Sequence, residues 1–154
     1  TSPDLEWITH VISEMCLELT DRLFVLRPTA PFRTVNSIHK AIQIFEATEN
    51  ADSVRAVKLT DSHPGKMWTL SGKVMSPLFP FVSDGVPWHS NQTKVLPKVY
   101  MQTATLEITT VNQVLQNKSL SGDVVIPLVL SGIETFDINS EDDFRYAEYV
   151  ISKR

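Results

Sequence analysis

Residues 136–144 read FDINSEDDF, and within them Asp137 and Asn139 stand two apart with oxygen-bearing side chains. Such hard oxygens suit Mg²⁺, Asp137 as the charged ligand and the side-chain carbonyl of Asn139 as a weaker, neutral one. The residues that follow have a different reading. Ser140 at an N-cap with Asp143 three positions on is a capping-box arrangement with Asp in place of the usual Glu or Gln, and Glu141, Asp142 and Asp143 complement the positive end of a helix dipole. A second stretch, RPTAPFRT at 27–34, carries Arg27 and Arg33 on a backbone stiffened by two prolines. Their planar donor forks match phosphate or carboxylate. Each stretch also has a structural alternative, with Arg33 pairing to a helix acid and Asp137 capping a turn, and either site taken alone favours that alternative.

The elements that must position these residues alternate helix and short strand. Leu5, Ile8, Ile12, Met15 and Leu19 keep helical spacing, with Ser2 as N-cap and Pro3 at the first helical position. LFVL at 23–26 has strand length, Ile38, Ala41, Ile42 and Phe45 mark a second helix, and SVRAVKL, Ser53 to Leu59, marks a second strand. A strand, loop, helix, strand unit implies a parallel sheet. Residues 60–100 meander, with Ser71-Gly72 as a hairpin turn and prolines at 77 and 80. The alternation resumes with a strand at 104–109, a short helix over 111–116, a buried strand at 124–130 and a last helix from about 141 to 151. The fold class is therefore α/β, and residues 1–154 read as a single α/β domain containing the 60–100 excursion. Open, mostly parallel sheets bind ligands beyond the carboxyl ends of their strands, where the RPTAPFR and FDIN loops fall.

Composition narrows the partners. The chain has 154 residues, 42% hydrophobic and 21% charged, with a net charge of −4, which suits a soluble globular domain. Its 14 Lys and Arg are scattered, which argues against nucleic acid, and no apolar run is long enough for a membrane span. Cys16 is the only cysteine, so neither a disulfide nor a cysteine-built zinc site can form within the chain, and a reducing, cytoplasmic setting fits. His10, His39, His63 and His89 show no metal-binding spacing, and His63 before a proline reads as structural. Trp68, Trp88 and Phe79-Pro80-Phe81 fit equally a contact patch and a local core.

Five stretches in order carry a resemblance: LRPTAPFR before an amphipathic helix, ADSVRAV, His63-Pro64 with Lys66-Met67-Trp68, LPKVY before a strand, and FDINSEDDFRYAE. Their collinear order resembles the acylneuraminate cytidylyltransferases, the CMP-sialic acid synthetases and their relatives for other acidic sugars. The resemblance implies a Rossmann-like, three-layer nucleotide-diphospho-sugar transferase fold, with 60–100 as a protruding dimerisation arm and a homodimer as the assembly. It implies that a sugar hydroxyl attacks the α-phosphorus of CTP and pyrophosphate leaves, with Mg²⁺ assisting. Carried over residue by residue, it gives Asp137 a catalytic, metal-holding role with Asn139 beside it. Arg27 and Arg33 would face the anionic ligand, and Lys94, Tyr100 and Gln102 would line the acceptor pocket.

The chain also departs from that pattern. Arg27 stands where the family usually has Gln before Pro-Thr, Thr93-Lys94 where it has Arg-Gln, Thr103 where it has Asn, and Asn139 where it has a second acid. An altered acceptor pocket is expected. The family's Gly- and Lys-rich loop, which cradles the CTP phosphates, has no counterpart, because the glycines, 65, 72, 85, 122 and 132, are isolated. The expectation is a chain corresponding to the C-terminal part of such an enzyme, which does not by itself turn over CTP, or a noncatalytic sugar-binding or interaction module that has lost the loop.

Overall fold

The computed structural model describes residues 4–153, so the expected Ser2 cap and Pro3 lie outside the described residues. The chain divides into two compact units, one built from residues up to Lys58 together with Gln102 onward, the other from Leu59–Met101. The expected 60–100 excursion falls inside the second. No described helix is long and apolar enough to cross a membrane.

The first unit opens with α1 (Asp4–Glu14), five residues shorter than the apolar spacing through Leu19 predicts. Cys16 takes a left-handed conformation at φ 50°, and Leu17 N–H donates to the Ile12 carbonyl at 3.2 Å, which closes the helix as a Schellman motif does. Strand β1 (Arg22–Val25) follows, then α2 (Val35–Ala47), whose N-cap Thr34 accepts from Ser37 N–H at 3.1 Å. Next comes β2 (Ser53–Leu59), and after the second unit β7 (Tyr100–Thr110), α3 (Val111–Asn117), β8 (Val125–Val129) and α4 (Glu141–Ser152).

The four strands lie in the order β1-β7-β2-β8. β2 pairs parallel with β8, Val54 opposite Ile126, while β1 pairs antiparallel with β7, Phe24 opposite Ile108. Thr103 Oγ1 donates to the Ala56 carbonyl at 3.3 Å and Thr109 Oγ1 to the Asp52 carbonyl at 3.4 Å, so β7 also runs against β2. The expected mostly parallel sheet is thus replaced by a mixed one in which antiparallel neighbours predominate. The cause is connectivity. β7 re-enters directly from the segment that β2 feeds, as antiparallel neighbours do, and wedges between β1 and β2 without a crossover helix.

One core cluster sets Ala41 of α2 on Val54, Ala56, Leu106, Ile108 and Leu128, and a second sets Ile8 and Ile12 of α1 on Val25, Val111 and Val114. At the opposite end of β2 from the loops, the Asp52 carboxylate accepts from the N–H groups of Asp123 and Val124, both at 2.8 Å. Gly122 is required there, because at φ +73° an added Cβ would lie 2.3 Å from Asp52 Cβ.

In the second unit, β3 (Trp68–Ser71) and β4 (Val74–Pro77) form a hairpin around Gly72, and β5 (Val82–Ser83) and β6 (Val86–Pro87) a smaller one around Asp84-Gly85, both at positive φ. Buried His63 accepts from Gly65 N–H through Nδ1 and, in the tautomer this requires, donates from Nε2 to the Pro97 carbonyl, each at 3.0 Å. Its ring meets Trp88 edge-on, and Phe81 packs on the same Trp88 at 4.9 Å. These contacts make a small local core, while Leu70 and Val74 on the first hairpin stand exposed.

Leu106 is 1% exposed at the centre of the first cluster. Leu106→Ala is expected to cost about 2–5 kcal/mol, read as a lower denaturant midpoint at an unchanged slope.

Candidate functional site

β1, β2 and β8 point their carboxyl ends the same way, and the loops leaving β1 and β8 meet there. Ile138 N–H, in the FDIN turn, donates to the Thr29 carbonyl in the RPTAPFR loop at 2.8 Å. The Phe32 and Phe136 rings pack tilted by 57° with centroids 6.0 Å apart, and Phe136 continues to Tyr146 of α4 at 5.2 Å. Glu134 joins the same seam. Its carboxylate accepts from Thr34 Oγ1 at 2.8 Å and from Ser37 Oγ at the start of α2. Burial acts to raise its pKa, and the hydrogen bonds from Ser37 and Thr34 outweigh it, so the carboxyl lies below its usual range.

Arg27 turns inward. Its guanidinium pairs with Asp4 at the start of α1 and reaches Glu107 of β7 at 3.5 Å. The Asp4 hydrogen bond raises the Arg27 pKa, and in return Arg27 holds the Asp4 carboxyl low. Arg33 does not meet a helix acid. Its Nε donates to the Thr105 carbonyl at 3.0 Å and its Nη2 to the Arg27 carbonyl, and burial lowers its pKa. Gln102 converges on the same carboxylate, donating from Nε2 to Glu107 Oε1 at 3.3 Å. Lys94 and Tyr100 belong to the second unit. Lys94 lies exposed on a short 3₁₀ turn, and Tyr100 lines a small cavity of about 190 Å³ with Thr60, Pro64, Met67 and Met101.

Glu107, only 3% exposed, is the residue that sequence reasoning missed. Arg55 Nη1 of β2 lies 2.6 Å from Glu107 Oε2, an ion pair without hydrogen-bond alignment, since neither Glu107 Oε2 nor Arg55 Nε has a hydrogen-bond partner. A signal was available. Both charges interrupt otherwise apolar or threonine-rich strand runs, SVRAVKL and TATLEITT, on strands whose neighbours are buried.

At the FDIN turn, Asp137 and Asn139 do meet. Asn139 Nδ2 donates to Asp137 Oδ2 at 3.1 Å, so the amide presents its donor to the carboxylate and not the carbonyl a metal would need. Asp137 Oδ1 is buried with no hydrogen-bond partner. Ser140 caps α4, accepting from Asp143 N–H at 3.2 Å, while the Asp143 carboxylate accepts from the Ser140 hydroxyl and from Asn139 N–H. Those two bonds, the hydroxyl first, lower the Asp143 pKa. Asp143 thus serves the helix cap, Glu141 and Asp142 pair with Arg145 of the same helix, and within this stretch Asp137 keeps a buried oxygen unused. Among the described residues no group of three or more His, Cys, Asp or Glu could hold a metal ion. Mg²⁺ commonly takes one or two protein carboxylates and completes its shell with phosphate and water, so the single orphaned oxygen of Asp137 fits as a partial site.

Beside the turn lies an open cavity of about 370 Å³, lined by Lys58, Gly132, Ile133, Thr135, Phe136 and Tyr146.

Two outcomes follow from the charges. Glu107→Gln leaves Arg55 facing a neutral amide in the sheet, and a loss of about 3–5 kcal/mol in denaturant unfolding is expected. The Asp4 carboxyl is held below its unfolded value by Arg27. Its contribution is therefore present above about pH 4, the unfolded value, and is lost as pH falls through the lower folded value. Asp4→Asn should lower stability at pH 7 and flatten the acid limb of the stability curve.

The chain matches no protein-family model. It is similar to a CMP-N,N'-diacetyllegionaminic acid synthase of Legionella pneumophila subsp. pneumophila (strain Philadelphia 1), 27% identical over 130 residues, 83% of this chain and 53% of that relative. The chain spans about half the length of the relative it matches, and the similarity links it distantly to a CMP-sugar synthase.

Proposed function

We propose that this chain serves cytidylyltransferase-type nucleotidyl transfer from CTP to an acidic, sialic acid-like sugar. One observation carries the reading: the buried, unpartnered Oδ1 of Asp137, in a turn hydrogen-bonded to the arginine-bearing loop. The distant similarity to a CMP-sugar synthase supports it. In the reaction a sugar hydroxyl oxygen bonds to the α-phosphorus of CTP, the bond from that phosphorus to the bridging oxygen breaks, pyrophosphate leaves with that electron pair, and the hydroxyl proton passes to solvent. Charge develops on phosphoryl oxygens, so positioned cations are needed more than a covalent nucleophile. Bound Mg²⁺ would neutralise part of that charge, with Asp137 as its protein ligand and Asn139 joining if its amide turns over. The hydrogen bond from Ile138 to Thr29 keeps Asp137 at the mouth of the arginine loop. Lys94, Tyr100 and Gln102 are assigned to the acceptor side, and the fold is read as a Rossmann-like nucleotide-diphospho-sugar transferase fold with β7 as its antiparallel strand. The same reading makes the protein a cytoplasmic homodimer joined through the 60–100 segment, supported by the exposed Leu70, Val74 and Met75 of its first hairpin.

A second reading, a noncatalytic acidic-sugar-binding module, is favoured by one feature. Arg27 and Arg33 are both engaged internally, the first with Asp4 and Glu107, the second with backbone carbonyls.

Thermal melts with Mg²⁺-CTP, with CMP and with sialic acid separate the two. A ligand at about a hundred times its Kd adds about 2.7 kcal/mol. Nucleotidyl transfer predicts a rise with Mg²⁺-CTP that needs the metal and disappears in Asp137→Asn, which should still fold. A rise with sugar alone selects the module, and no rise with any of the three removes both readings.

A further inference from the structure

Lys58 is half-buried near the end of β2, on the wall of the cavity that also holds Phe136 and Tyr146. Among the described residues its side chain makes no ion pair or hydrogen bond. A lysine whose stem lies along a cavity wall and whose ammonium has no counter-charge keeps that ammonium available to pair with an anion entering beside it. The other walls add no charge. Thr135 Oγ1 commits its proton to the Gly132 carbonyl at 2.8 Å, which leaves Lys58 as the group suited to an anion, while the Tyr146 side chain is half exposed. The Phe136 and Tyr146 rings, tilted by 51°, offer an apolar surface, and Gly132 leaves its side open because a Cβ there would meet nothing within 4 Å. Among the described residues no carboxylate lines this cavity.

We propose that this cavity is an anion-recognition subsite for a small ligand, with the Lys58 ammonium pairing to a carboxylate or phosphoryl group and the Phe136–Tyr146 rings covering the ligand's apolar side. The inference deepens the acidic-sugar reading and rests on it for the ligand's class. It makes Lys58 a specificity-determining residue, selecting acidic over neutral sugars. A volume of about 370 Å³ is that of a small-molecule site, enough for one sugar ring with its substituents.

The test is calorimetric titration of the protein with sialic acid, a neutral N-acetylhexosamine, inorganic phosphate and CMP. Lys58→Met should weaken sialic acid binding about tenfold or more, the usual size of a charge-assisted contact, and leave the melting temperature nearly unchanged. Lys58→Arg should retain most of the binding, and the neutral sugar should be indifferent to both changes. If phosphate or CMP shows the Lys58 dependence and sialic acid does not, the subsite takes a phosphoryl group, as proposed for an anion in general. Sialic acid and phosphate binding unaltered in Lys58→Met, or no anion binding at all to millimolar concentrations, overturns the inference. A Mg²⁺-CTP response alongside sialic acid, phosphate and CMP binding that are all unaltered in Lys58→Met would sink the subsite and leave nucleotidyl transfer standing. Lys58-dependent anion binding without any nucleotide response would do the reverse.

Discussion

A carboxylate inside a sheet sets the terms for the rest of this structure. Glu107 lies on the strand wedged between β1 and β2, and an ionised side chain that deep is tolerated only with charge partners close by. Arg55 comes from the neighbouring strand, Arg27 from the end of β1 and Gln102 from β7 itself. Because Arg27 is drawn inward, the loop after β1 must turn over the sheet top, and its carbonyl becomes the acceptor for Arg33. Arg27 also binds Asp4, so the start of α1 is tied to the same centre. One buried acid thereby couples a helix, two further strands and the candidate ligand loop.

That coupling bears on chemistry. Arginines held by carboxylates and carbonyls stiffen a loop, but fewer of their donors are left for an incoming phosphate. The orphaned oxygen of Asp137 and the unpaired ammonium of Lys58 are the opposite case, polar groups the fold supplies and does not use. The hydrogen bond from Ile138 to Thr29 joins the loop that carries the paired arginines to the turn that carries Asp137. The anchored loop provides shape, and the turn and cavity beside it provide reactive or binding groups.

Parts of this were legible in the residues. Ser140 with Asp143 encodes a local cap that needs no tertiary partner, and it forms as the spacing requires. The strand, loop, helix, strand order of 22–59 is likewise local, and Ser71-Gly72 sets a hairpin. The end of α1 is not legible there: Met15 and Leu19 continue the apolar spacing, whereas the chain leaves the helix at Cys16 through a left-handed residue that periodicity does not register. Charges within SVRAVKL and TATLEITT were visible, but which of them would meet depends on strand order.

The amino-acid sequence by itself determined the amphipathic faces, the caps and turns, and the loops bearing Arg27, Arg33, Asp137 and Asn139, because each depends on residues a few positions apart. Tertiary structure decided the direction of β7 and the burial of Glu107. It also decided the inward turn of Arg27, the meeting of the two loops and the placement of Lys58 beside Phe136 and Tyr146. Those depend on which strands lie side by side, and strand pairing is set by burial and connection across tens of residues, which no local pattern encodes.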